Sequence, residues 1–418
     1  MNRPEHELRM LAPDSFRQVL SRRAIFQAGT AAAGLAILSA CGSEKKATDN
    51  SVGGDCNPLD VAAVADGTPS SGFSNVVNRS SGTLSMYTWG DYNDPEIIGP
   101  LAEADLGVSM KVDYYPSNED LVTKLSASNG NSGFDIVVPT GPFIPQMIQK
   151  GLIEKFDLSK LPNIVNVDPY YLGRSWDPCN EYSVCKDWGS TGWIYNTVEV
   201  GREINTWNDF FDVCMNEASG NCSVLDTANN ITGPYFWANG INWTTEDPAD
   251  LDACESFLVD EFASHIKAFD SYPSTKLAEG AYIVSMAWNG DARQAFVRIA
   301  DAGGNPDDWK WGLGAPATEL WMDNYCIAKG APNSDAAHAW INWLLTPEVS
   351  IRDLNYHGYH SGMQNIDELL AELVPDLERG DMIFFDDAQV ATMQTGAVNS
   401  AQDRLVDILN KVKAKAGG

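Results

Sequence analysis

From Gly82 onward the chain alternates between a two-residue and a 3.6-residue hydrophobic period, and that alternation restricts its architecture more than any other feature. Residues 84–89 read as a strand, after which Asp94-Pro95 opens a helix with proline at the first helical position, where its missing N–H costs nothing. Residues 109–115 predict a second strand. Ser117, with Asp120 three residues on, resembles a capping box and starts a helix carrying Leu121, Val122 and Leu125. A third strand over 135–139 and a helix over 142–150, stopped by Gly151, continue the series. Such an order implies an α/β fold with helices on the faces of a sheet.

Apolar strands recur at 281–288 and 324–328 with different spacings, which predicts two lobes. Residues 191–196 and 323–327 are the expected crossing strands. The first lobe then takes about 82–190 plus 325–365, and the second about 191–324 plus the C-terminal helices. Ser334 is read as the cap of a helix containing Ala337, Trp340, Ile341 and Leu344, and a final helix is expected over about 400–413.

Upstream of the fold lie export signals. The twin-arginine stretch Ser21-Arg22-Arg23-Ala24-Ile25-Phe26 precedes an apolar run over 28–40 and resembles the leader of the pathway that exports prefolded proteins. The run has 13 residues, Gly29, Thr30, Gly34 and Ser39 among them, whereas a spanning helix needs about 20 apolar residues. Leu38-Ser39-Ala40-Cys41 resembles a bacterial lipobox. Residues 1–40 are therefore read as a lipoprotein signal peptide and Cys41 as the lipidated anchor to a membrane. Residues 41–81, rich in Gly, Ser, Asn and Asp, form the expected flexible tether. The domain is thus expected in the periplasm or at the cell surface.

With 418 residues, 44% of them hydrophobic, the chain can fill two cores. Its formal charge of −29 argues against a nucleic-acid partner, because binding a phosphate backbone rests on Lys and Arg. Removing residues 1–40 takes away 5 of 28 basic and 3 of 57 acidic residues and leaves −31. An acidic field steers cations inward, although solubility alone explains such an excess equally well. Beyond Cys41 there are seven cysteines: Cys56, Cys179, Cys185, Cys214, Cys222, Cys254 and Cys326. Disulfides are their expected use outside the cytoplasm, with connectivity left open. Cys179/Cys185 and Cys214/Cys222 are close enough to staple short loops, Cys254 to reach Cys56, and Cys326 reads as an inert buried thiol. No spacing fits a redox pair or a zinc site, so no metal is expected.

Six short stretches come in the order found in the spermidine- and putrescine-binding proteins of ABC importers: Tyr87-Thr88-Trp89-Gly90-Asp91-Tyr92, Tyr115-Pro116-Ser117-Asn118-Glu119, Asp135-Ile136-Val137-Val138-Pro139-Thr140, Trp288-Asn289-Gly290-Asp291, Trp321-Met322-Asp323 and Gly358-Tyr359. Over roughly residues 82–415 the chain resembles that family. The resemblance implies a type II periplasmic-binding-protein fold: two α/β lobes joined by crossing hinge strands, closing on a ligand in the cleft between them. It implies as partners a polyamine ligand, permease subunits and a cytoplasmic ATPase, with a monomeric binding protein and no cofactor.

A polyamine carries positive charges along an apolar methylene chain, so its site needs carboxylates at the ends and flat aromatic walls between. The resemblance assigns Trp89, Tyr92, Trp288, Trp321 and Tyr359 to those walls, and Asp91, Asp291 and Asp323 to the acids. Thr140 stands where the family offers a serine hydroxyl, and Gln394 corresponds to a polar residue near the C-terminus. The chain departs from the pattern in the second lobe, where Asn230 occupies the place of a further acid and Asp226 offers a substitute shifted in register. Pro142, followed by Phe143, takes the place of an aromatic. The amine class is therefore better specified than the particular amine, and another small cationic solute remains the alternative.

Two other readings share some of these features. Paired carboxylates also serve glycosidases, but GxSxG, HExxH and P-loop motifs are absent and the chain has five histidines, so an enzyme is not expected. A polyamine sensor subunit would have the same cleft and differ only in the membrane partner.

Overall fold

A computed structural model describes residues 73–375 and 377–417; the leader, Cys41, Cys56 and the tether up to residue 72 lie outside them. The last part of the expected tether is instead docked on the domain, with Ser74 and Val76 hydrogen-bonding to Asn163 and Asn166 and Ser80 to Leu106. Twelve strands form among the described residues: β1 (Gly82–Thr88), β2 (Val108–Tyr114), β3 (Ile136–Val137), β4 (Ile153–Glu154), β5 (Val184–Asn196), β6 (Cys222–Val224), β7 (Ile266–Phe269), β8 (Val284–Trp288), β9 (Trp309–Leu313), β10 (Thr318–Ala328), β11 (His360–Ser361) and β12 (Met393–Thr395). Their hydrogen-bonded order is β2-β1-β3-β10-β5-β8-β6-β7. Parallel pairs, β1 with β2 and β3 and β6 with β7 and β8, make the centres of the two lobes. Such pairing requires crossovers, which the helices supply.

β5 and β10 are the crossing strands, and both are longer than the sequence suggests. They run antiparallel from Leu320↔Ser190 to Tyr325↔Val184. Beyond that ladder β5 pairs with β8 and β9 in the second lobe, while β10 pairs with β3 and β4 in the first. Each strand thus belongs to both lobes. Gly189 sits on this ladder because nothing larger fits: a Cβ there would lie 2.5 Å from the Trp321 ring and 2.4 Å from Asn289 Oδ1.

Each lobe has its own core. Leu84, Met86, Ile136, Leu121, Ile144 and Trp340 belong to the first, and Trp193, Trp207, Phe210, Phe236, Ile231 and Ile408 to the second. Met322 is buried with the first core, as strand alternation places it. Burying each such side chain contributes roughly 1.5–3 kcal/mol before entropy is counted.

Local signals place most elements to within a few residues. Ser117 accepts the Asp120 N–H at 3.1 Å and starts the Asn118–Ala127 helix. The helix expected at Asp94 is instead a turn, and helical structure begins at Pro100–Asp105. Pro100 explains the delay: lacking an N–H and disfavouring a helical residue before it, it cannot lie inside a helix begun at Asp94. Ser334 is the first residue of the Ser334–Leu344 helix, not its cap, which is Asn333. The final helix is Gln402–Ala416. Cys179 is disulfide-bonded, whereas Cys185, Cys214, Cys222, Cys254 and Cys326 are buried free thiols. Neither short-range pair is therefore bridged; Cys185 is packed against Gly362, where a Cβ would come within 2.7 Å of its sulfur. Among the described residues no helix is long and apolar enough to cross a membrane.

Candidate functional site

The strand ends and helix starts of the two lobes line a cavity that opens to solvent, with about 730 Å³ of free space counting its mouth. Trp89 follows β1, and its Nε1 donates to the Val138 carbonyl at 3.1 Å. Thr140 follows β3 and bridges to Asp323. Asn118, the first residue of its helix, fixes Thr140 twice: its Oδ1 accepts the Thr140 N–H at 3.0 Å and its Nδ2 donates to Thr140 Oγ1 at 2.9 Å. Thr140 Oγ1 then donates to Asp323 Oδ1 at 2.7 Å, and the Tyr92 hydroxyl lies 2.8 Å from Asp323 Oδ2.

From the second lobe, Trp288 ends β8 and Asp291 lies in the first turn of the Asn289–Asp301 helix. Gly290 lets that turn approach: a Cβ there would lie 2.5 Å from the Tyr359 ring. Tyr359 donates its hydroxyl proton to Asp291. Trp89 meets Trp288 edge-on at 5.9 Å, and Trp321 meets Tyr359 at 4.7 Å, so two aromatic pairs wall the space between the acids.

Nine of the twelve sequence-assigned residues line this cavity: Trp89, Tyr92, Thr140, Asn230, Trp288, Asp291, Trp321, Asp323 and Tyr359. The structure does not bring Asp91, Asp226 or Gln394 to its wall. Asp91 has φ 50, in the left-handed region. Its carboxylate lies 2.9 Å from Arg298 of the second lobe, a pairing that bridges the lobes at the surface. Asp226 pairs with Lys413, and Gln394, on β12, accepts the Trp237 indole N–H at 3.2 Å. The strand-to-helix motif locates a neighbourhood; backbone direction decides which side chain enters it.

The cavity also contains residues that the sequence does not single out. Glu319 is buried, with Oε2 accepting from Asn230 Nδ2 at 2.6 Å and from Thr191 Oγ1 at 3.1 Å. Tyr272 accepts the Gly90 N–H and donates to the Tyr115 carbonyl, both at 3.0 Å, so it spans the lobes. Glu119 accepts from Gln402 of the final helix at 2.8 Å.

Burial pushes the carboxyl of Asp323 up to about 7; Asp187 adds to the rise, while hydrogen bonds from Thr140 and Tyr92 oppose it. Burial likewise raises Asp291 to about 7 against the Tyr359 hydrogen bond, and Glu319 to about 7 against those of Asn230 and Thr191. Among the described residues, no Lys or Arg forms an ion pair with any of the three. Desolvated carboxylates without a cation favour a cationic guest.

Behind Tyr92 lies a second polar cluster. The Tyr92 hydroxyl also reaches Asp187, which pairs with Lys186 at 2.7 Å; Lys186 lies 3.5 Å from Asp353 and 3.7 Å above the Tyr92 ring. Burial works against the Lys186 charge, but Asp187 and Asp353 outweigh it and hold it as ammonium. The cluster sets one ammonium against two buried carboxylates.

The sequence profile of the family described as bacterial extracellular solute-binding protein matches residues 96–371. The chain belongs to this family. Members bind solutes outside the cytoplasm, and the fold of this solute-binding protein is the type II periplasmic-binding-protein fold. The chain is 29% identical over 349 residues to the spermidine/putrescine-binding periplasmic protein of Escherichia coli, covering 82% of this chain and 95% of that one. It is 29% identical over 294 residues to a putrescine/agmatine-binding protein of Pseudomonas aeruginosa, with 68% and 78% coverage. The Tp0655 lipoprotein of Treponema pallidum superposes with a TM-score of 0.67 at 26% identity, over 79% of this chain and 99% of that one.

Proposed function

We propose that this solute-binding protein captures a polyamine outside the cytoplasm and delivers it to an ABC permease driven by a cytoplasmic ATPase. The observation that carries the reading is the set of three buried carboxylates, Asp291, Glu319 and Asp323, lining one aromatic-walled cavity without a protein cation. Ammonium groups of the ligand would supply the missing charges, and its methylenes would lie against Trp89, Trp288 and Trp321. The names of the Escherichia coli and Pseudomonas aeruginosa relatives support the same ligand class. Asp323 and Tyr92 act from the first lobe, and Asp291, Glu319 and Asn230 from the second. A cation touching both sets favours the closed arrangement by differential contact. No bond is made or broken, and energy enters at the permease.

Calorimetric titration of the purified full-length protein with putrescine, spermidine and spermine tests this reading. Micromolar or tighter binding of at least one is expected; silence across all three would overturn it. The carboxyls near 7 also set the pH dependence. Below that value the cleft holds protons, which an arriving ammonium displaces, so affinity is expected to rise from pH 6 to pH 8 with proton release. Repeating the titration in buffers of different ionisation enthalpy reads that release, and a flat profile would remove these acids from the binding step.

The anchor is a second part of the proposal. Cys41 at the end of Leu38-Ser39-Ala40-Cys41 carries a lipid and holds the domain at a membrane through the residues between it and the docked segment that begins near Ser74. Cells expressing the protein are expected to incorporate labelled palmitate into it and to lose that label on Cys41→Ser. Undiminished labelling in the variant would refute the assignment.

A further inference from the structure

The acids of the cleft are not scattered at random. Glu319, Trp321 and Asp323 are alternate residues of β10, and all three line the cavity, because successive side chains of a strand point to opposite faces. The two acids are four positions apart along the strand, a Cα span of about 13 Å. The Trp321 ring occupies the position between them. This is a built ruler: a carboxylate at each end of an aromatic strip, on one strand that belongs to both lobes.

The two ends are equipped alike. Asp323 is held by Thr140 and Tyr92. Glu319 is held by Asn230 and Thr191, both acting on Oε2, and among the described residues no side chain donates to its Oε1. Next in sequence to Asn230, Asn229 also lines the cavity, and its buried Oδ1 has no partner. Buried acceptors left without donors are rare. A carboxylate oxygen and an amide oxygen together make a receptor for a donor-only group, and an ammonium is such a group. Asn230 has lost the charge expected at its position but positions the carboxylate that replaces it.

Building on the polyamine reading above, we propose that Glu319 binds the far ammonium of the ligand and that the Glu319–Trp321–Asp323 register selects a cation of triamine length over a four-carbon diamine. An extended chain advances about 1.25 Å per bond, given bond lengths near 1.5 Å. A four-carbon diamine therefore separates its nitrogens by about 6 Å and cannot reach both ends of the strip. A spermidine-length chain separates its terminal nitrogens by about 11 Å, which matches the span once the carboxylates lean inward to their guests.

The test is calorimetry on the purified full-length protein with α,ω-diaminoalkanes of four to eight carbons, putrescine and spermidine included, repeated on Glu319→Gln. Glutamine keeps an oxygen for Asn230 and Thr191 while removing the charge. Wild-type affinity is expected to rise with chain length, by tenfold or more between four and eight carbons. In Glu319→Gln the spermidine-to-putrescine affinity ratio is expected to fall tenfold or more. Asp323→Asn should weaken both ligands alike. If amines bind but affinity does not grow with length, or Glu319→Gln weakens both ligands equally or neither, this inference falls and the polyamine reading stands. If no amine binds, both fall. The length series needs no variant, so a misfolded Glu319→Gln would not shield the proposal.

Discussion

Asp323→Asn is expected to weaken polyamine binding by about 2–5 kcal/mol, roughly thirtyfold or more, because it leaves a buried ammonium facing a neutral amide. Asparagine preserves the size of the side chain; its oxygen keeps the Thr140 hydroxyl and its NH2 faces the Tyr92 hydroxyl, whose proton then goes to Asp187, so the lost affinity reads chiefly the charge. The same substitution should leave the ligand-free protein as stable as before, or more so at pH 8. An ionised Asp323 there is desolvated and faces Asp187. Its carboxyl is raised in the folded state, so it binds its proton more tightly than in the unfolded chain, and its contribution to stability declines as pH rises from the ordinary carboxylate range through about 7. Paired titrations and thermal melts at pH 6 and pH 8 check this. Unchanged affinity would remove Asp323 from the site, and a joint loss of affinity and melting temperature would make it a structural residue.

Lys186→Met should produce the largest loss of stability. The ammonium is almost fully buried with Asp187 and Asp353. Removing one partner of such a cluster costs about 3–5 kcal/mol, since the remaining charges have no solvent to turn to. His357 lies 3.3 Å from Asp187 and 3.7 Å from Asp353. Burial holds it neutral, with Lys186 and Arg293 adding to that effect. Without Lys186, a proton on His357, or on one of the two acids, becomes the only nearby compensation. The folded variant then binds protons more tightly than its unfolded chain, so its stability should fall as pH rises. Urea unfolding at pH 5.5 and pH 8 is expected to show a deficit that is larger at the higher pH. A small deficit independent of pH would mean that Lys186 does not neutralise the cluster. Binding should weaken as well, because Asp187 shares the Tyr92 hydroxyl with Asp323.

Local order along the chain was enough to place most strands and helices through their alternating hydrophobic periods, while the cleft residues were assigned by the resemblance of six short motifs to a known family. Trp89, Tyr92, Trp288, Asp291, Trp321, Asp323 and Tyr359 were legible through the motifs shared with the polyamine-binding family, and all seven line the cavity. Asp91 shows the limit of that logic: two residues from Trp89, it takes a left-handed backbone conformation and turns its carboxylate to Arg298.

Glu319 and the buried charge cluster became visible only through long-range packing. Glu319 reads as an ordinary surface acid until β10 is seen to begin at Thr318, five residues before the expected crossing strand. From there, strand alternation places Glu319 with Trp321 and Asp323. That extension rests on pairing with β5 and β12, contacts with residues more than seventy positions away. The Lys186–Asp187–Asp353–His357 cluster gathers β5 and the Pro347–His357 helix, and nothing in either segment alone distinguishes a buried charge from a solvated one. Local propensity acts over a turn or a strand, whereas desolvation and charge pairing depend on which distant segments exclude water together.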